Sequence, residues 1–203
     1  MTIEKHRPWG WAGSFPPDGV VVHSDAEARR AVTQARQDGR PLPTLGLLGG
    51  DLCRTLGGRG DSARLRSDAA MTFPVDLGHV VLDGDEHWFV AHLIARRSWW
   101  RGRVVAVMNA QWLGSWDLAP RSHPNDGLLD ATDGVLPLAD RFKARRRLPT
   151  GTHLPHPALR TLRRATMSFE FAPALDVRLD GTLVGRARRL DVRIEPDALT
   201  VVV

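Results

Sequence analysis

Arg188-Arg189-Leu190-Asp191-Val192-Arg193-Ile194-Glu195 alternates without a break, with Leu190, Val192 and Ile194 on one face and Arg189, Asp191, Arg193 and Glu195 on the other. Successive side chains of an extended chain leave on opposite sides, so a period of two marks a strand with one face in a core and one in water. The same reading extends outward. Residues 199–203 form a further strand, and residues 177–179 precede the opening stretch as another. Residues 161–171 alternate through Leu162, Ala165, Met167, Phe169 and Phe171, slipping once near Arg164. Residues 77–82 and 88–95 flank Asp83-Gly84-Asp85-Glu86, a hairpin signal, and residues 103–109 follow a turn at Arg101-Gly102. One helix interrupts them over residues 136–148, with Leu138 and Phe142 on one side and Arg141, Arg145 and Arg146 on the other. Several short strands with few helices predict a β-sandwich-like domain. Its single core is expected to hold Leu77, Val81, Phe89, Val105, Met167, Phe169, Val192 and Ile194.

The chain before residue 70 reads differently. After an irregular lead-in over residues 1–18, Val20-Val21-Val22 is a short buried strand. Ser24 with Glu27 forms a capping box for a helix through Ala28, Ala31, Val32 and Ala35, which Gly39 and Pro41 stop. Residues 44–48 form a second strand ending in Gly49-Gly50, and residues 51–56 a short helix closed by Gly57-Gly58. The whole is therefore α+β: a small α/β part over residues 1–70 and a mainly antiparallel β-sandwich-like part over residues 71–203.

A chain of 203 residues with 42% hydrophobic content buries roughly 70% of the surface its unfolded form exposes, enough for a true core. No apolar run at the amino terminus reads as a signal peptide, and no stretch approaches the ~20 apolar residues of a membrane helix. The single cysteine, Cys53, forms no internal disulfide, so a cytoplasmic location is expected. The net charge of +5 comes almost wholly from arginine, Lys5 and Lys143 being the only lysines. With abundant Ala, Gly, Leu and Val, this points to a GC-rich bacterial genome. The arginines are spread along strands rather than gathered on one face with exposed aromatics, so nucleic acid is not an expected partner. An anionic lipid surface stays open as a partner.

Met108-Asn109-Ala110-Gln111, Leu118-Ala119-Pro120, Asn125-Asp126-Gly127-Leu128-Leu129-Asp130 and Gly151-Thr152-His153 follow one another in an order that resembles the diacylglycerol kinase family of lipid kinases. Pro74-Val75-Asp76-Leu77-Gly78 upstream, and Leu179-Asp180-Gly181-Thr182 and Glu195-Pro196-Asp197-Ala198-Leu199 downstream, extend the likeness over residues 74–203. In the amino-terminal part Gly49-Gly50-Asp51-Leu52-Cys53-Arg54-Thr55-Leu56-Gly57 is similar to the family's nucleotide-facing turn and helix, with Leu48 and Gly50 where it has threonine and asparagine.

The resemblance implies a carboxy-terminal β domain joined to a nucleotide-binding domain that is mostly lost. It implies weak nucleotide contacts at Gly49, Gly50 and Asp51, a cation such as Mg2+ at Asp126 with the backbone near Leu128, and Asp180 as the base that deprotonates a lipid hydroxyl. Thr182 stands where a second carboxylate belongs, and a hydroxyl replaces neither a base nor a metal ligand's charge. The family's phosphate loop, GGDGT, has no counterpart, so ATP binding within this chain is not expected. Asp180-Gly181 also reads simply as a tight turn, and Asn125-Asp126-Gly127 as an ordinary turn former. His123, His153 and His156 with Cys53 do not make a zinc set, because the ligands do not converge in sequence. Trp99, Trp100, Trp112 and Trp116 either line a cleft or cover a core, with the core expected.

Three functions follow. The chain is a degenerate, lipid kinase-like module that binds a lipid or another ligand in the interdomain cleft, a divergent ATP-dependent lipid kinase, or an interaction subunit whose partner protein supplies the nucleotide-binding domain. The missing loop and carboxylate favour the first and the last.

Overall fold

In the computed structural model, which describes residues 9–203, the chain passes through β1 (Trp11–Ala12) and β2 (Val20–Val22) to a reciprocal helix cap. Residues 1–8 of the expected lead-in lie outside the described residues. The Ser24 hydroxyl accepts the Glu27 N–H at 3.3 Å, and the Glu27 carboxylate accepts the His23 N–H at 2.7 Å. This box starts α1 (Asp25–Gln37), which buries Ala28, Val32 and Ala35 at helical spacing. β3 (Leu45–Leu47) lies parallel to β2, and α2 (Asp51–Thr55) follows. An unforeseen short helix, α3 (Ser62–Leu65), is capped by Asp61, whose carboxylate accepts the Ala63 and Arg64 N–H groups.

The β-rich part comprises β4 (Met71–Leu82), β5 (Asp85–Phe89), β6 (His92–Arg96), β7 (Val104–Met108) and the small pair β8 (Trp112–Leu113) and β9 (Trp116–Asp117). It continues with β10 (Leu129–Gly134), α4 (Leu138–Arg147), β11 (Leu159–Arg164), β12 (Thr166–Leu179) and β13 (Thr182–Val202). The main path of the sheet runs β1-β4-β13-β12-β6-β7-β10-β11, with β5 on β4 and β3 on β13. The β2–β3 and β3–β13 pairs are parallel, and every other pair is antiparallel. One sheet thus crosses from the α/β part into the sandwich through β13.

β13 is 21 residues long, against a common strand length of about 5–6. It stays continuous because the register against β4 shifts between Glu195 and Leu199, where Asp197 takes a left-handed φ of 52°. What reads in sequence as two strands is one strand with a bulge. The β4–β13 ladder serves two cores on opposite faces. Val80 and Leu82 with Leu190, Val192 and Ile194 face the sandwich core around Phe89, Val105 and Phe169. Val75 and Leu77 with Leu199 and Val201 face a second core under α1 and α2, built from Val22, Val32, Leu45 and Leu52.

The expected single core is corrected accordingly. Phe89, Val105, Met167, Phe169, Val192 and Ile194 share the sandwich core, whereas Leu77 belongs to the second. Val81 is half-buried and points away from both, because its neighbour Val80 takes the core position. α4 also turns the opposite way from its apolar stripe. Leu138 and Phe142 are 56% and 53% exposed, while Arg141 is 7% exposed. Its guanidinium donates to the Leu136 carbonyl at 2.7 Å, the Trp99 carbonyl at 2.9 Å and the Gly102 carbonyl, so one five-donor group satisfies three loop acceptors at once. Among the described residues no helix is long and apolar enough to cross a membrane.

Candidate functional site

Asp180 opens the turn between β12 and β13. It takes φ 48° and Gly181 φ 80°, the pair of left-handed residues that a two-residue hairpin needs. This turn is not a solvated one, since Asp180 is 5% exposed. Its Oδ2 accepts the Val90 N–H at 2.9 Å, and its Oδ1 accepts the Ala91 and His92 N–H groups at 2.9 and 3.0 Å. These bonds explain why the expected strand over residues 88–95 divides into β5 and β6: at Val90-Ala91 the backbone leaves the ladder to donate to one carboxylate. Burial raises the Asp180 pKa, against the opposing His92 charge and the three N–H donors. Thr182 is exposed at the first position of β13.

Asp51, the first residue of α2, faces the same place. Both its oxygens lie 2.9 Å from the Gly114 N–H, and His92 Nε2 lies 3.2 Å from its Oδ2. Asp25, the first residue of α1, accepts the N–H groups of Asp51 and Leu52 at 2.5 and 3.1 Å. An aspartate from α1, one from α2 and a histidine from β6 therefore converge, their ligand atoms all within 4.8 Å of one another. Burial, then the Asp180 charge, pushes the Asp25 carboxyl up to about 7 despite its two N–H donors. Burial acts the same way on Asp51, but the bonds from His92 and Gly114 outweigh it and hold that carboxyl below its ordinary value. Burial works against a charged His92, yet the bond to Asp51 and the surrounding carboxylates raise its pKa overall.

Gly49 and Gly50 serve this convergence. A Cβ on Gly50 would stand 2.4 Å from Asp25 Oδ1, and one on Gly49 would stand 2.4 Å from the His23 carbonyl oxygen. Both glycines let the β2–α1 turn close onto α2. That turn is a strand–turn–helix connection of the kind that cradles phosphates, but His23-Ser24 carries no glycine. The N–H groups starting α2 are bonded to Asp25 instead. Leu48 packs against Leu65, Ala70 and Val202.

The aspartate–aspartate–histidine set is right in kind for a divalent cation, but its members do not fit one as arranged. Asp25 accepts two backbone N–H groups, and the His92 nitrogen that would have to ligate already lies 3.2 Å from Asp51 Oδ2. Asp126 is engaged as well: one oxygen accepts the Leu128 N–H at 3.0 Å and the other pairs with Arg163. Leu128 takes part as a donor to Asp126. The neighbouring Asp76 is 1% exposed and accepts the Gly127 and Asp197 N–H groups at 2.7 and 2.9 Å. Burial, helped by the Asp126 charge, pushes it up to about 6. It staples the 125–128 segment to β4 and to the β13 bulge. Among the described residues no metal-capable group includes His123, His153, His156 or Cys53.

A second concavity lies beneath α4, an apolar cavity of about 100 Å3 walled by Trp99, Trp116, Leu118 and Leu148. Trp99 and Trp116 are half-buried and cover the small core of Ile94, Ala106, Met108 and Leu118 as expected, while Trp112 is half-buried and Trp100 is exposed. Arg54 stacks on Trp112, its guanidinium carbon 3.5 Å from the ring centroid, which docks α2 against the β8–β9 pair. Sequence reasoning missed Asp25 and His92 and read Asp76 only as part of the Pro74–Gly78 motif, without a role. Asp25 left a local signal of its own, an acidic residue directly after a helix cap.

The sequence model of one family, described as YegS C-terminal NAD kinase beta sandwich-like domain, matches residues 69–203. Two solved structures, provisionally described as a diacylglycerol kinase from Bacillus anthracis str. Sterne, share the fold. One superposes with a TM-score of 0.68 at 14% identity, over 91% of this chain and 77% of that one. The other gives 0.69 at 16% identity over the same shares. A further structure, of diacylglycerol kinases from the same organism, gives 0.54 at 15% identity over 79% of this chain and 66% of that one. No curated protein matches the chain.

Proposed function

Because the chain belongs to the family of the YegS C-terminal NAD kinase beta sandwich-like domain, we propose that it is a lipid kinase-like protein that binds its ligand without transferring phosphate. The observation that carries this reading is the state of Asp180. A general base must lie within reach of the hydroxyl it deprotonates. Asp180 is buried and is held by three backbone N–H groups, and the neighbour that would share the work is Thr182. Asp25 supports the same reading, because it occupies the α2 N–H groups that would otherwise face an anion. The ligand side rests on the tryptophan-walled cavity under α4, whose surface suits an acyl chain.

The test pairs transfer with binding. The protein is incubated with γ-labelled ATP, magnesium and vesicles containing diacylglycerol or other lipid alcohols, and no labelled lipid is expected. Label that appears with the wild type and vanishes with Asp180→Asn would overturn the proposal. Calorimetric titration with ATP and magnesium should give no micromolar binding. A lipid that does bind, at a hundred times its dissociation constant, should stabilise the fold by ~2.7 kcal/mol.

A further inference from the structure

β11 ends the path of the sheet, and among the described residues its backbone pairs with β10 alone, apart from the Leu159 N–H, which donates to His156. One row of its N–H and C=O groups therefore faces outward, and such a row is a template for another strand. Arg160, Leu162 and Arg164 share one face of β11 and line a groove of about 560 Å3, floored by the apolar side chains of Met167 and Phe169. On the opposite face Arg163 is tied to Asp126, so the groove face is the free one.

The charges around this groove do not balance. Arg103 donates to both Asp133 oxygens at 2.7 Å, Asp191 and Glu170 pair with Arg189, and Glu86 lies 3.3 Å from His79. Among the described residues Arg160 and Arg164 have no such partner. Four residues apart on an extended strand, they stand ~13 Å from each other with Leu162 between them. A second copy of β11 is a poor occupant, because antiparallel pairing about Leu162 sets each Arg160 opposite an Arg164. A strand of opposite charge has no such conflict.

We propose that the free edge of β11 takes an extended acidic segment of a partner protein as an added strand. The main chain of the segment bonds the outward groups of β11, and its alternate side chains enter the groove. Acidic, apolar and acidic residues at every second position then meet the two arginines with Leu162 between them. That pattern reads the same in both directions, so it suits a parallel or an antiparallel strand. Strand addition here needs nothing of Asp180, so it holds whether or not the chain transfers phosphate.

The probe is a fluorescein-labelled peptide with the core Glu-Thr-Val-Thr-Glu, read by anisotropy. Wild type should bind it, and should bind a Lys-Thr-Val-Thr-Lys core at least about tenfold more weakly. Arg160→Ala and Arg164→Ala, both at exposed positions, should each weaken the acidic peptide about fivefold. Arg160→Glu combined with Arg164→Glu should take the lysine peptide over the acidic one, a gain that an unfolded variant could not show. N-methylation of alternate peptide residues should abolish binding in one phase and spare it in the other, since an added strand turns one row of N–H groups to the sheet. An unchanged preference in the double variant would overturn the arginine pairing. Equal effects of the two N-methyl phases would overturn strand addition. Displacement of the peptide by glutarate at equal concentration would mean a small-anion site and overturn the peptide as occupant. An acidic peptide that fails to bind wild type at millimolar concentration would overturn the proposal outright.

Discussion

Replacing Asp180 with alanine leaves the N–H groups of Val90, Ala91 and His92 buried without an acceptor. Each orphaned donor costs about 1–3 kcal/mol, so Asp180→Ala should lose on the order of 4 kcal/mol in chemical denaturation. Asp180→Asn keeps one oxygen but turns an amide N–H toward backbone donors, and should lose about 2 kcal/mol. A loss of a few tenths would mean that the turn is solvated, as its Asp-Gly sequence reads. Asp25 gives a prediction in pH. Its folded pKa of about 7 exceeds the unfolded value of 3.8, so the folded chain binds more protons between the two. The stability from this group is therefore fully present below about pH 4 and is lost as pH rises through about 7. Wild type should lose about 2 kcal/mol between about pH 5 and pH 7 through this group, and Asp25→Asn should flatten the slope. His92, also raised, acts with the same sign, its share present below the ordinary histidine value and lost as pH climbs past it. Asp76 and Asp180, also raised by burial, share with His92 the slope of this sign that Asp25→Asn retains.

α4 is held by a charge rather than by its apolar side chains. Arg141→Leu should strand the Leu136, Trp99 and Gly102 carbonyls and loosen the helix while the sandwich stays folded. Trypsin should then cut the Arg145–Arg147 run several-fold faster, with the far-ultraviolet spectrum little changed; equal cleavage rates would show that packing holds the helix. The sequence allowed the opposite expectation because Leu138 and Phe142 fall on one stripe, and the carbonyls that claim Arg141 lie partly in the distant loop after β6. The strands were more legible. Alternation located parts of β12 and of β13, since a half-buried strand writes its two environments into neighbouring residues. But it ran residues 161–171 together where the chain passes from β11 into β12, and separated 177–179 from the same β12. It failed where the ladder changes character: Pro196-Asp197-Ala198 reads as a break and is a bulge, while Val90-Ala91 reads as continuous strand and is a bend toward Asp180. Of the site, Gly49, Gly50 and Asp51 were legible as a turn, but their purpose was not. Asp25 and His92 meet Asp51, and Asp180 meets the His92 backbone, only once segments distant in sequence come together, and no local pattern encodes such a meeting.

At the scale of the molecule, β13 joins what composition divides. Its residues Leu199 and Val201 sit in the core under α1 and α2, and Leu190, Val192 and Ile194 sit in the sandwich core. A chain beginning at residue 69 would leave Val75, Leu77, Leu199 and Val201 without cover. It should aggregate or self-associate on size exclusion at concentrations where the longer chain is monodisperse; a well-behaved monomer would show that the second core is dispensable. The same strand also bears on how the protein comes off the ribosome. β4, β12 and β3 all wait for β13, which is made after each of them. Neither core can close while it is missing, so the nascent chain carries two open hydrophobic faces through most of its synthesis. Pairings so distant in sequence also slow the search once the chain is released. Any pause before residue 182 should therefore lengthen the interval in which both faces stay open.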